Sequence, residues 1–62
     1  DVIADVRELI GKTPGPQGIA VEEVIAALGE KGIRKEAVLA ALESLIVDDE
    51  CYQPRKGYVR LL

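Results

Sequence analysis

The side chains best equipped for chemistry in this chain are cations. Arg55 and Lys56 stand side by side in the run Gln53-Pro54-Arg55-Lys56-Gly57, and Arg60 follows closely. Adjacent cations at an exposed turn suit a phosphate backbone, which accepts guanidinium and ammonium donors and fixes position without reporting base sequence. The same charges could instead keep an exposed sheet edge from pairing with another edge, a common task for Lys. A second basic pair, Arg34 and Lys35, opens the segment Arg34 to Val47. In the first turn of a helix the dipole mildly disfavours positive charge, so helix stability does not explain it. The pair could meet phosphates or base edges if that helix end enters a major groove. Equally, it could be a solvated first turn whose ion pairs with Glu36 and Glu30 are worth at most about 1 kcal/mol.

Acid-base and nucleophilic chemistry find little to work with. Glu22 and Glu23, and then Asp48, Asp49 and Glu50, are neighbours in sequence. Adjacent helical positions point about 100° apart and do not converge on one substrate. The chain has no His and a single cysteine, Cys51. No internal disulfide or zinc site can be built from that set. Cys51 reads as a reduced, partly buried small hydrophobe of an intracellular protein. The loop Lys12-Thr13-Pro14-Gly15-Pro16-Gln17-Gly18 is glycine-rich, but no Gly-Lys-Ser/Thr follows it at the spacing a phosphate cradle needs. An enzyme, a resident cofactor and a metal are therefore not expected within these residues. Tyr52 and Tyr58 read as packed side chains with their hydroxyls at the rim, since two aromatics are a weak sign of a base-stacking platform.

The chain has 62 residues, of which 48% are hydrophobic, without Phe, Trp or Met. Its core must be aliphatic, and a domain near this size buries only about 60% of its unfolded surface. Eight Lys and Arg against eleven Asp and Glu give a net charge of -3. Tight, sequence-independent nucleic-acid binding is not expected from that balance, because phosphate neutralisation drives it. The charge is patterned, however: the acidic run Asp48-Asp49-Glu50 lies between the two basic clusters and is a candidate protein-docking corner. With no apolar run approaching the ~20 residues of a membrane span and no signal-peptide pattern, the chain reads as soluble, cytoplasmic and nucleoid-associated. Its start at Asp1 reads as a cut within a longer protein.

The elements that must position these groups follow from periodicity. Val2, Ile3, Val6, Leu9 and Ile10 form one stripe of a first helix, capped at its start by Asp1 and ended by a left-handed Gly11. After the Pro/Gly loop, Ile19 and Ala20 can add a short strand. Val21, Val24, Ile25 and Leu28 then mark a second helix whose first turn holds Glu22 and Glu23, where carboxylates suit the dipole. Gly29 and Gly32 bracket a turn. With Arg34 as N-cap, Ile33 and Val38 stand at the spacing of a hydrophobic staple, and Val38, Ala41, Leu42 and Leu45 form the buried face of a third helix. The acidic run ends that helix, and residues 51 to 62 read as two strands, CYQ and YVRLL, around the turn PRKG. Pro54 is tolerated only at a sheet edge or turn. Three helices with a C-terminal hairpin of basic tip describe a mainly α, α+β fold: a single winged helix-turn-helix domain over residues 1–62.

The run Cys51-Tyr52-Gln53-Pro54-Arg55-Lys56-Gly57-Tyr58-Val59-Arg60 resembles the closing segment of archaeal minichromosome maintenance (MCM) replicative helicases. There an aromatic, a proline and a turn glycine followed by an aromatic end the protein, and the preceding three-helix pattern is similar to their small C-terminal winged-helix domain. The resemblance implies a hexameric, ATP- and magnesium-dependent DNA helicase as parent, its motor lying upstream. It also implies an accessory role for this domain, tuning ATPase and unwinding activity through weak contacts with DNA, neighbouring hexamer subunits or a replication initiator protein. Glu36 and Glu43 among the outward positions of the third helix depart from a strongly basic recognition helix and argue against deep groove binding. Two alternatives stay open: a protein-docking module for an initiator or neighbouring subunit, and the DNA-binding domain of a transcription regulator.

Overall fold

A computed structural model of the chain describes residues 1–12 and 15–62. The elements run α1 (Val2–Lys12), β1 (Ile19–Ala20), α2 (Val21–Gly29), α3 (Lys35–Val47), β2 (Cys51–Tyr52) and β3 (Tyr58–Leu61). Three helices and one small antiparallel sheet make an α+β fold. The sheet order is β1-β3-β2, so the last strand is central: Ile19 pairs with Val59 on one side and Cys51 with Leu61 on the other. The short β1 thus converts the expected two-stranded hairpin into a three-stranded sheet. Among the described residues, no helix is long and apolar enough to cross a membrane.

Asp1 caps α1 as its residue type suggests, its Oδ1 accepting from the backbone N–H of Ile3 at 2.8 Å and Ala4 at 3.4 Å. The expected left-handed stop at Gly11 is not present. Gly11 is absent from the positive-φ residues, and the helix runs through it to Lys12. Gly11 instead faces β3: a Cβ at this position would lie 3.2 Å from Leu61 Cδ1, a tight contact that the end of the leucine side chain would have to shift to accept. A left-handed glycine stands instead at Gly32, at φ 85° after α2. Ile33 N–H donates to Leu28 O at 3.1 Å and Gly32 N–H to Gly29 O at 2.9 Å, the paired bonds of a Schellman motif.

Arg34 is the extended N-cap of α3, without a side-chain cap bond, and Val38 is fully buried, with Ile33 packed at the edge of the core. α3 supplies Val38, Ala41, Leu42 and Leu45 to that core. α1 adds Val6 and Ile10, α2 adds Val24 and Leu28, and the sheet adds Ile19, Cys51 and Val59. α1 and α2 both lie against α3, which makes it the central element. The interior is wholly apolar, and no buried side-chain polar atom lacks a partner among the described residues. An aliphatic core of this size has no room for a charge that burial would strand.

Candidate functional site

The hairpin alternates as a half-buried strand pair should. Cys51 and Val59 face the core, while Tyr52, Tyr58 and Arg60 are half-buried or exposed. Tyr52 and Arg60 stand directly across from each other. The turn closes with Tyr58 N–H donating to Arg55 O at 3.1 Å, and Gly57 takes φ 83°. Positive φ at the third residue is the pattern of a type II turn and favours glycine there. This turn begins at Arg55, one residue beyond the predicted start, and leaves Pro54 in the connection where it forfeits no ladder bond.

The basic residues of the hairpin are held, but not neutralised. Arg60 Nη1 donates to the Pro16 carbonyl at 3.0 Å and reaches the Tyr52 hydroxyl at 3.5 Å. Arg55 Nη1 donates to Gln17 Oε1 at 3.3 Å, and its guanidinium lies 5.3 Å from the Tyr58 ring centroid. Each partner is neutral. Lys56 is exposed at the tip. Among the described residues, the cations in ion pairs are Arg7, Lys12 and Arg34, and none belongs to the hairpin. The hairpin therefore carries an uncompensated positive charge on arginines whose side chains are already oriented.

Gly18 makes this arrangement possible. It has φ 76°, and a Cβ there would collide with the Val59 carbonyl oxygen and lie 2.9 Å from Arg60 Cβ. The bare backbone lets the Pro16-Gln17 turn reach the hairpin. Val21 N–H also donates to Gly57 O at 2.8 Å, so the start of α2 is tied to the hairpin turn. Neither Pro16 nor Gln17 was among the candidate residues, because their partners lie 44 and 38 positions away.

The other candidates are separate from this cluster. Arg34 Nε lies 3.7 Å from Glu36 Oε1 with both side chains largely exposed, and Lys35 is solvated beside it. Of the two carboxylates considered as partners, Glu36 is used and Glu30 is not, among the described residues. Beyond Lys35, the exposed positions of α3 hold Glu36, Leu39, Ala40, Glu43, Ser44 and Val47, none of them basic. The acidic corner divides. Glu50 accepts from Arg7 Nε at 2.9 Å, joining α1 to the start of the hairpin, whereas Asp48 and Asp49 are exposed without an ion pair among the described residues. Asp49 has φ 60°. Cys51 is a free, buried thiol, and no group of three or more His, Cys, Asp or Glu among the described residues is placed to hold a metal ion.

Comparison of the chain with protein-family models, curated proteins and solved structures returned no match.

Proposed function

We infer that this chain is a winged helix-turn-helix domain that lays its C-terminal hairpin along a nucleic-acid phosphate backbone, weakly and without reading sequence. The element order α1-β1-α2-α3-β2-β3, with a Gly32 turn between α2 and α3, supports the winged-helix reading. The observation that carries the contact is the trio Arg55, Lys56 and Arg60, in which the two arginines are positioned by neutral groups and no cation has a carboxylate partner among the described residues. Oriented guanidiniums lose less side-chain freedom on meeting a phosphate. The net charge of -3 keeps the contact weak.

The resemblance of residues 51–60 to the end of archaeal MCM helicases supports an accessory place beside an ATP- and magnesium-driven motor, where weak contacts would adjust unwinding without anchoring the protein. A regulator that reads DNA sequence is the weaker reading, because beyond Arg34 and Lys35 the exposed positions of α3 hold no Arg, Lys, Asn or Gln, the side chains that read base edges. Chemical-shift titration with duplex DNA tests the contact. The expected dissociation constant is about 10⁻⁴ M or weaker at physiological salt, rising steeply with added salt, with shifts centred on residues 55–60. Charge reversal by Arg55→Glu with Lys56→Glu should abolish them. Sub-micromolar, salt-insensitive affinity, or shifts centred on α3, would overturn the reading.

A further inference from the structure

α3 is apolar on two sides. Its buried stripe faces α1 and α2, but Leu39, Ile46 and Val47 form a second stripe, shared at its edge by Leu42, along an open groove of about 880 Å³. Val21, Cys51, Tyr52 and Leu62 make up the other wall. Among the described residues, the exposed large hydrophobics are Ile3, Leu39, Val47 and Leu62, and all but Ile3 line this groove, at 41%, 73% and 74% exposure. A contiguous apolar patch of this kind marks an interaction surface, whereas scattered single residues do not.

The charge around the groove selects the occupant. Its charged lining residues are Glu43 and Asp49, and Asp48 adjoins them. None has an ion pair among the described residues. Their placement works against helix stability twice over. Asp48 and Asp49 follow the C-terminus of α3, where the dipole disfavours carboxylates, and Asp49 occupies a left-handed conformation normally given to glycine. A phosphate backbone is repelled by such a rim. A symmetric pairing of two copies would set these carboxylates against themselves. A helix with apolar side chains at i, i+3 or i+4, and i+7, flanked by Lys or Arg, matches both the floor and the rim. The stripe from Leu39 to Val47 extends about 12 Å along α3, enough for two turns of such a partner.

We propose that the groove between α3 and β2 docks a basic amphipathic helix from another protein. The groove meets the hairpin at Tyr52, whose hydroxyl lies 3.5 Å from Arg60 Nη1, but neither Arg55 nor Lys56 lines it, so the proposal does not rest on the hairpin contact. The test is titration of the isotope-labelled chain with a synthetic helix of about 15 residues bearing Leu at the a and d positions and Lys elsewhere. Saturable binding is expected, with amide shifts confined to Leu39–Val47, Cys51–Gln53 and Leu62. The same peptide with Glu in place of Lys, and a scrambled Leu/Lys peptide, should each bind at least about tenfold more weakly. Leu39→Ser and Val47→Ser alter exposed side chains and should each weaken binding by about tenfold. Glu43→Lys combined with Asp49→Asn, which keeps a residue tolerant of positive φ, should remove the preference for the Lys peptide. The proposal is overturned by equal affinity for the Lys, Glu and scrambled peptides, or by no binding up to about 1 mM. Shifts confined to the hairpin, or concentration-dependent dimerisation of the chain alone that covers the groove, also overturn it.

Discussion

Cys51 is the residue where environment most changes chemistry. It is 2% exposed, and burial pushes its thiol above the ordinary range, the Glu50 carboxylate pushing the same way and Arg7 opposing. Below the unfolded thiol's value of about 8.5 both states are protonated and the thiol leaves stability intact; above it the unfolded chain releases its proton first, so stability falls as pH rises through the folded value. Urea midpoints measured from neutral to alkaline pH should therefore decline more steeply for the wild type than for Cys51→Ala. Parallel declines would show that the thiol contributes nothing to the slope. That Cys51 is a small, partly buried hydrophobe was readable from residue habits, and the structure buries it fully. The positions of Arg55 and Arg60 were not, because their anchors at Gln17 and Pro16 are distant in sequence and depend on Gly18 lying against Val59.

At the scale of the element, α3 carries charges at both ends that oppose its dipole, with Glu36 in the first turn the exception. Arg34 and Lys35 stand at the N-terminal end, and Asp48 and Asp49 at the C-terminal end. Burial of Val38, Ala41, Leu42 and Leu45 holds the helix in spite of this. The C-terminal end is a Schellman motif, with Glu50 N–H donating to Leu45 O at 2.9 Å and Asp49 N–H to Ile46 O at 3.0 Å. Asp49 stands where the motif prefers glycine. Asp49→Gly removes both the strain of a positive φ and a carboxylate at the negative end of the dipole, and should raise stability by roughly 0.5–1 kcal/mol. A higher urea midpoint at unchanged slope would bear this out, and a lower one would show that the aspartate supports the fold. The second apolar stripe of α3 did leave a signal in sequence: Leu39, Ile46 and Val47 fall outside the i, i+3, i+4, i+7 set that the core accounts for. A helix apolar on two sides has a face left over once the core has taken the other.

Across the whole molecule the two candidate surfaces carry opposite charge, a basic hairpin tip and an acid-rimmed apolar groove, on a chain whose total of -3 hides both. The surfaces adjoin at Tyr52, which lines the groove and lies 3.5 Å from Arg60, whereas Arg55 and Lys56 are not among the groove's lining residues, so these two cations should act separately from it. Removing the two tip charges by Arg55→Gln with Lys56→Gln, which leaves Arg60, is expected to weaken the DNA-induced shifts strongly while leaving the affinity for the basic peptide within about threefold. Titrating the same variant with each ligand checks this. Loss of both, in a variant with a native spectrum, would mean that the surfaces are one site.

Local rules alone settled the three helices, the Asp1 cap, the core face of α3 and the turn glycine of the hairpin, because periodicity, capping and positive φ are properties of neighbouring residues. Tertiary packing decided what lies between distant segments. Gly11 is a contact with Leu61 and not a helix stop, since the same residue serves either a left-handed turn or a close approach. The two residues of β1 become an edge strand only when β3 is present to pair with them. The hairpin's arginines become an oriented positive surface only because the Pro16-Gln17 turn folds back onto them, and Leu39, Val47 and Leu62 become a groove only because β2 lies beside α3. Sequence spacing specifies which side chains share a face of an element; which faces meet, and which are left open, is set by packing the elements together.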